Sequence, residues 1–242
     1  MSPNTCHPCP RSVQTLGVRK MNYCHSDHLA ITAPTLDIGA AYVYEALGVY
    51  PQEGGKHQKM GTHNLLLCLG KAVYLEVIAK DPNAPIPSRP RWFALDRVTS
   101  TSKPALATWV ARTQDIFSSV NACSEDMGSV ESMERGNFSW LITIPQNGEL
   151  KQGGVVPALI QWQTSNHPAE GLPDKGLTLI ELELHHHDPH RVQVMLESVN
   201  FEGAVSVKRT ESSVRPYLKA IIATPRGERQ IVAANHTIQR KR

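Results

Sequence analysis

The sequence predicts an α+β fold in which a βαβββ order of elements occurs twice along the chain. Three observations support this prediction: two strands with alternating apolar residues, a capped amphipathic helix after each, and closely spaced strands after each helix. The chain has 242 residues, of which 40% are hydrophobic and 19% charged. A chain of this length and composition can bury a substantial core without disulfides.

The first module is predicted over residues 27–80. The strand at residues 28–33 alternates, so its residues divide between two faces of a sheet. One face carries Leu29, Ile31 and Ala33, and the other carries His28, Ala30 and Thr32. A helix follows, with Thr35 as its N-cap and Gly48 at its end. Strands at residues 64–69 and 73–79, joined by a tight turn, complete the module.

A second βαβββ module is predicted over residues 177–234. Its first strand alternates, and Asp188-Pro189 is a good helix start, with a cap followed by proline at the first helical position. The rest of the chain is expected to comprise a disordered extension at residues 1–26, a proline-rich linker at 81–104, middle strands and a helix at 105–165, and a tail at 235–242.

Two polar side chains stand out in the apolar strands of the first module. Glu76 lies on the face opposite the main aliphatic row of its strand, and a buried carboxylate is costly unless a cation or hydrogen bonds meet it. His28 lies in the earlier strand. Together they suggest a metal-binding cleft. The alternatives are a carboxylate hydrogen-bonded to a nearby Arg or Tyr, and a histidine satisfied near a sheet edge.

Charge and cysteine content exclude several classes of function. The formal net charge is only +3 and the basic residues are scattered, which disfavours a nucleic-acid partner. No apolar run is long enough to span a membrane, and the first 26 residues lack the apolar centre of a signal peptide. Five cysteines favour a reducing, cytoplasmic location. The Cys6-His7-Pro8-Cys9 motif matches the C-x-x-C pattern of redox and zinc sites. A role in the expected tail without such chemistry is favoured, because no second C-x-x-C pair exists in the sequence.

The ordered motifs resemble the glyoxalase-like branch of the vicinal oxygen chelate superfamily, over roughly residues 27 to 234. The motifs that carry the resemblance are Asp27-His28-Leu29, Ala46-Leu47-Gly48-Val49, Gly61-Thr62-His63-Asn64, Tyr74-Leu75-Glu76-Val77-Ile78, Arg91-Trp92-Phe93, Trp162, His167-Pro168 and His187-Asp188-Pro189. The resemblance implies paired βαβββ modules that form curled mixed sheets around a cleft, with the helices on the outside.

The resemblance also implies a set of site residues. His28, Glu76 and Glu181 are the expected ligands of a divalent ion, which could be Zn, Fe, Mn, Ni or Co. Aligning the helix starts after Pro34 and His187 places Glu181 at the position that corresponds to His28. Glu183 lies two residues away on the same face of the strand. Gln161 and Gln230 are both candidates for a fourth ligand. Glu76 and Glu181 are the expected catalytic carboxylates. The expected substrate-binding residues are His63, Asn64, Trp92 and Trp162.

These expectations lead to competing hypotheses of function. The first is a divalent-metal-dependent enzyme, of the lyase, isomerase or dioxygenase type, that acts on a small oxygenated substrate. The second is a metal-free protein of the same fold that binds or sequesters a small molecule, and the third is an interaction module. The expected partner is a small-molecule ligand, with neither nucleic acid nor membrane, and a homodimer is compatible with this fold.

Overall fold

The computed structural model describes residues 22–233. The Cys6-His7-Pro8-Cys9 motif, most of the expected N-terminal extension and the expected C-terminal tail lie outside these residues. The first strand begins at Cys24, earlier than the predicted start at residue 27, so the last residues of the expected extension belong to the sheet.

The described chain forms three consecutive units of strands with one helix each. The first unit contains β1 (Cys24–Thr32), α1 (Leu36–Leu47), β2 (Gln52–His57), β3 (Thr62–Cys68) and β4 (Tyr74–Lys80). The second contains β5 (Ala105–Arg112), α2 (Ile116–Ala122), β6 (Ser129–Arg135), β7 (Phe138–Ile144) and β8 (Ala158–Trp162). The third contains β9 (Thr178–His186), α3 (Pro189–Ser198), β10 (Phe201–Glu202), β11 (Val205–Arg209), β12 (Tyr217–Thr224) and β13 (Gly227–Val232).

The first and second units share one mixed sheet of nine strands. Its order is β2-β3-β4-β1-β5-β8-β7-β6, and β10 pairs with the start of β1. The third unit forms a separate sheet of order β11-β9-β12-β13. The predicted α+β class with curled mixed sheets is confirmed.

The module that shares a sheet with residues 27–80 is the second unit, and residues 177–234 form the other sheet. From the sequence, residues 27–80 and 177–234 are predicted as the paired modules, and residues 105–165 only as middle strands and a helix. The second unit was hard to recognise because α2 has only seven residues and β6 contains only two apolar residues, Val130 and Met133, which do not alternate.

Helix α1 forms and packs as its sequence predicts. The Thr35 hydroxyl accepts a hydrogen bond from the Ile38 amide at 3.3 Å, and Gly48 ends the helix with a left-handed φ of 76°. Gly39 permits close packing on β4, because a Cβ atom there would lie 2.3 Å from Cγ1 of Val77. This contact fixes α1 against the outer face of the nine-stranded sheet.

The strands of the first unit separate two apolar layers. Leu29 and Ile31 of β1 pack with Leu182 and Leu184 of β9 in the core between the two sheets. Ala30, on the opposite face of β1, belongs to a second cluster on the inner side of the curled sheet. The predicted division of this strand into two faces is therefore confirmed.

The nine-stranded sheet curls until its two edge strands, β2 and β6, approach each other. Gly55 of β2 lies against Arg135 of β6, where an added Cβ atom would be 2.9 Å from the arginine Cδ. Just after β2, Lys59 Nζ contacts Glu131 Oε2 at 2.7 Å and the Ser132 carbonyl at 3.3 Å. The curled sheet thereby encloses the space along its inner face.

None of the helices in the described part of the chain has the length and apolar character of a membrane span.

Candidate functional site

A small cavity lies on the inner face of the curled sheet. Its volume is about 20 Å³, which is enough for about one water molecule. The first unit lines it with His28, His57, Tyr74 and Glu76. The second unit lines it with Arg135, Trp140, Ile142, Ile160 and Trp162, and the connecting segment adds Trp92 and Phe93.

Asp27 and His28 form a hydrogen-bonded pair at the cavity wall. The pairing of β1 with β5 shifts register between Ser26 and His28, and such a bulge re-aims neighbouring side chains. The Asp27 Oδ1 atom lies 2.6 Å from His28 Nδ1, and both residues are buried. Because a carboxylate faces Nδ1, that nitrogen carries the proton, and the lone pair of His28 is on Nε2.

The Asp27 carboxylate has two further hydrogen-bond donors. Trp162 Nε1 donates to Oδ2 at 2.8 Å, and His167 Nε2 donates to the same oxygen at 3.0 Å. Burial alone would raise the pKa of Asp27, but the hydrogen bonds from His167 and His28 outweigh burial and hold the pKa well below 3.8. Asp27 is therefore a fixed anion that orients the His28 ring.

Glu76 faces His28 across the cavity. The Glu76 Oε2 and His28 Nε2 atoms are 3.6 Å apart, which is too far for a hydrogen bond. The other oxygen, Oε1, accepts a hydrogen bond of 2.5 Å from Asn64 Nδ2. The Gly55 amide donates to Asn64 Oδ1 at 2.8 Å, which orients the Asn64 amide group towards Glu76. Two acceptor atoms thus converge on a position that a donor group or a cation would fill.

Two buried rings support this arrangement. Tyr74 stacks on His28 with ring centroids 4.6 Å apart. Burial, together with the charges of Asp27 and Glu76, raises the pKa of Tyr74 well above 10.0, so its hydroxyl stays protonated. Burial, with Arg135 nearby, lowers the pKa of His57 well below 6.5, so this ring is neutral and hydrogen-bonds to the Thr62 hydroxyl at 3.1 Å.

The predicted site residues divide into two groups. His28, Glu76, Asn64, Trp92 and Trp162 are brought together: four line the cavity, and Asn64 contacts Glu76. Two other predicted residues lie elsewhere.

His63 and Glu181 are the two that do not join the cavity. His63 precedes Asn64 on β3 and is directed to the other face of the sheet, because side chains alternate along a strand. Glu181 lies on β9 in the four-stranded sheet, where the adjacent Leu182 faces the core. The structure therefore does not bring Glu181 to the cavity beside His28, and its expected role as ligand and catalytic carboxylate stays a prediction.

The residues considered as alternative metal ligands lie away from the cavity. Glu183 binds His185 Nε2 at 2.8 Å, and Gln161 Oε1 accepts a hydrogen bond from the Ile116 amide at 2.9 Å. Gln230 is exposed on β13. None of these residues lines the cavity.

Four polar residues of the site that the sequence reasoning missed are Asp27, His57, Tyr74 and Arg135; the apolar wall residues Phe93, Trp140, Ile142 and Ile160 were also not predicted. Asp27 could have been found, since it directly precedes His28 in the motif that carried the family resemblance. Arg135 gave no comparable signal, because its position depends on how the second unit curls against the first.

The side chains of the cavity supply two possible ligands for a divalent ion. His28 Nε2 and Glu76 Oε2 are the residues that could share one, and Asp27 on Nδ1 is a typical outer partner of a metal-binding histidine. Catalytic sites usually supply three protein ligands. Among residues 22–233 no group of three His, Cys, Asp or Glu side chains has the geometry of a metal site. These residues do not make a complete three-ligand site.

A family model described as "Glyoxalase-like domain" matches residues 26–199. The chain belongs to this glyoxalase-like family. The match spans the first two units and reaches the end of α3, and it confirms the resemblance to glyoxalase-like proteins. Comparison with curated proteins by sequence finds no match.

Several solved structures are similar to this chain at low sequence identity, and the first of them shares its fold. A hypothetical protein from Staphylococcus aureus is 15% identical, with a TM-score of 0.52 over 86% of this chain and 85% of that one. Methylmalonyl-CoA epimerase from Mycobacterium tuberculosis is 17% identical, with a TM-score of 0.38 over 58% of this chain and 88% of that one. A mutant 4-hydroxymandelate synthase from Streptomyces coelicolor is 12% identical, with a TM-score of 0.40 over 86% of this chain and 62% of that one.

Proposed function

We propose that this glyoxalase-like protein is an enzyme that moves a proton on a small oxygenated molecule, with His28 as the proton acceptor. The observation that carries the proposal is the Asp27–His28 pair. A buried carboxylate lies 2.6 Å from Nδ1, and the lone pair of Nε2 is opposite Glu76 in the cavity. A histidine that is oriented by a carboxylate is a common general base.

Glu76 has a different role from His28 in this proposal. Its Oε1 atom is held by Asn64, while Oε2 is 3.6 Å from His28 Nε2. A substrate hydroxyl or an acidic C–H group located between these atoms would meet two acceptors at once. Glu76 then stabilises the imidazolium that forms when His28 takes the proton.

Access to this site requires side-chain movement. A cavity of about 20 Å³ admits about one water molecule, so a substrate binds only when lining side chains shift. Closure around the substrate would exclude water from the reacting atoms, which strengthens the electrostatic interactions in the site. The aromatic walls formed by Trp92, Trp140 and Trp162 suit a compact organic ligand.

The metal-dependent form of the hypothesis remains a proposal of its own. His28 and Glu76 could bind an ion whose other ligands come from substrate oxygens, and the bound ion would act as a Lewis acid. The described residues supply two ligands only, so we assign no step to an ion. Metal-free ligand binding is favoured by one observation, the aromatic and aliphatic wall that the second unit gives to the cavity.

Proton transfer can be tested by deuterium exchange. We expect the purified protein in D₂O to exchange the C–H proton next to the carbonyl of one or more members of a panel of 2-oxo and 2-hydroxy compounds, followed by NMR. His28→Gln should slow exchange by about 10²–10⁴-fold, the usual contribution of a general base. His190→Gln is the matched control, since His190 is exposed on α3.

The same experiment separates the alternatives. Exchange by His28→Gln at the wild-type rate would overturn the proposal. Ligand binding without exchange, detected by tryptophan fluorescence, would favour a sequestering protein. Loss of exchange after dialysis against EDTA, with recovery on adding one divalent ion, would establish the metal-dependent enzyme instead.

A further inference from the structure

Two hydrogen-bond donors at the cavity have no hydrogen-bond partner in the described part of the chain. The Arg135 residue as a whole is 8% exposed, and its guanidinium, which also lines an open groove, forms no hydrogen bond or ion pair within residues 22–233. Trp92 is 4% exposed, and its Nε1 atom has no acceptor among the same residues. A cation that is largely removed from water and has no carboxylate partner is free to bind an anionic group of a ligand.

No carboxylate of residues 22–233 forms an ion pair with Arg135. Asp27 is bound by His28, Trp162 and His167, and Glu76 accepts from Asn64. The remaining contact of Arg135 is with the Phe138 ring, whose centroid is 5.8 Å from the guanidinium carbon. A ring face attracts a cation but leaves the N–H groups of the guanidinium free.

The fold places Arg135 at the boundary between the cavity and the surface. Arg135 ends β6, and Gly55 on β2 leaves space for its side chain, as an added Cβ atom would lie 2.9 Å from the arginine Cδ. Arg135 lines the inner cavity and also an open groove of about 590 Å³ between these two edge strands.

Two lysines also line this groove, and each has a carboxylate partner. Lys56 is 3.0 Å from Asp81, and Lys59 is 2.7 Å from Glu131. Arg135 is therefore the groove cation that no carboxylate of the described chain neutralises.

We propose that Arg135, with the Trp92 N–H as a second donor, binds a carboxylate group of the ligand, so that the ligand class is a compact carboxylate. The planar guanidinium fork matches a carboxylate and can bind both of its oxygens. The carboxylate stays at the groove end, and the rest of the molecule extends towards His28 and Glu76. This inference rests on the proposed function, because it requires that the cavity binds a small molecule.

Matched pairs of small probes test the assignment. Pyruvate, lactate and benzoate are compared with pyruvamide, lactamide and benzamide, and inorganic phosphate is a further anion. Binding is followed by NMR through the indole N–H signals of Trp92 and Trp162. We expect one or more carboxylates to bind about tenfold to a hundredfold more tightly than the matching amide, the effect of hydrogen bonds to a charged group.

Three variants complete the test. Arg135→Met should bind the carboxylate no better than the amide, Arg135→Lys should restore part of the difference, and the exposed control Arg229→Met should behave as wild type. Arg135→Met should also unfold at the same or a higher temperature, because it removes a largely buried side chain whose charge no carboxylate of residues 22–233 neutralises. A clear fall in its melting temperature would indicate a structural arginine and overturn the assignment.

The outcomes distinguish this inference from the proposed function. Equal binding of carboxylate and amide, tighter binding of phosphate, or wild-type carboxylate binding by Arg135→Met would overturn the role of Arg135 and leave the cavity as a ligand site. If no probe perturbs the two indole signals, both the inference and the proposed function fail.

Discussion

The two units that share the nine-stranded sheet contribute unequally to the cavity. The first unit supplies the hydrogen-bonded polar groups, Asp27, His28, Asn64 and Glu76. The second supplies a wall of Trp140, Ile142, Ile160 and Trp162 with one cation, Arg135. A repeated fold can thus assign the proton chemistry to one copy and the shape and charge of the pocket to the other.

The largest effect is expected from Asp27→Asn, which breaks the polar half of the site. Asp27 is fully buried and accepts hydrogen bonds from His28, Trp162 and His167, so weakening these three bonds to a charged group should destabilise the fold by about 3–5 kcal/mol at pH 7. Urea unfolding of the two proteins measures the difference.

This difference should depend on pH in a defined direction. The folded pKa of Asp27 lies below its unfolded value of 3.8, so its stabilisation is complete above that pH and is lost as the pH falls towards the folded pKa. The gap between wild type and Asp27→Asn should therefore shrink from pH 7 to pH 3. A gap that stays constant would contradict the assignment of a buried anion.

Trp162→Phe tests the link between the two units. The indole N–H donates to Asp27 Oδ2 at 2.8 Å, and a hydrogen bond to a charged group contributes about 1.5–3 kcal/mol. In a double-mutant cycle with Asp27→Asn, we expect a coupling free energy in this range. A coupling near zero would mean that the tryptophan only packs.

His57→Leu tests a buried polar group of the first unit that has no role in the proposed proton transfer to His28. Because the folded pKa of His57 is lowered below 6.5, the unfolded chain binds the extra proton first, and wild-type stability falls as the pH drops below 6.5. The slope from this residue is at most about 1.4 kcal/mol per pH unit. His57→Leu should have a shallower slope than wild type between pH 6.5 and 5, whereas the exposed His190→Gln should not.

The smallest effect is expected from Ile142→Val in the wall of the second unit. Removal of one buried methylene should cost about 0.5–1.5 kcal/mol of stability and leave proton exchange nearly unchanged. Exchange kinetics and thermal unfolding are measured on the same sample. A large loss of proton exchange with little loss of stability would show that the apolar wall of the second unit also contributes to the proton transfer, contrary to the proposal.

The sequence was sufficient for features that depend on local periodicity. Alternation placed His28 and Glu76 on the inner face of their strands, and the capping residues of α1 were correct. Glu181 was misplaced because the third unit repeats the same element order as the first, and local patterns do not determine which units pair in one sheet. Arg135 was missed for a related reason, since its position follows from the approach of two distant edge strands.

The pairing of β10 with β1 has a consequence for the order in which the protein is assembled. His25 at the start of β1 contacts the Glu202 carbonyl, 177 residues later in the chain. During synthesis β1 therefore cannot pair with β10 until most of the described chain has been made. Long-range pairing of this kind slows folding. A nascent chain that stalls before β10 would carry Asp27 and His28 on a strand that still lacks its β10 partner.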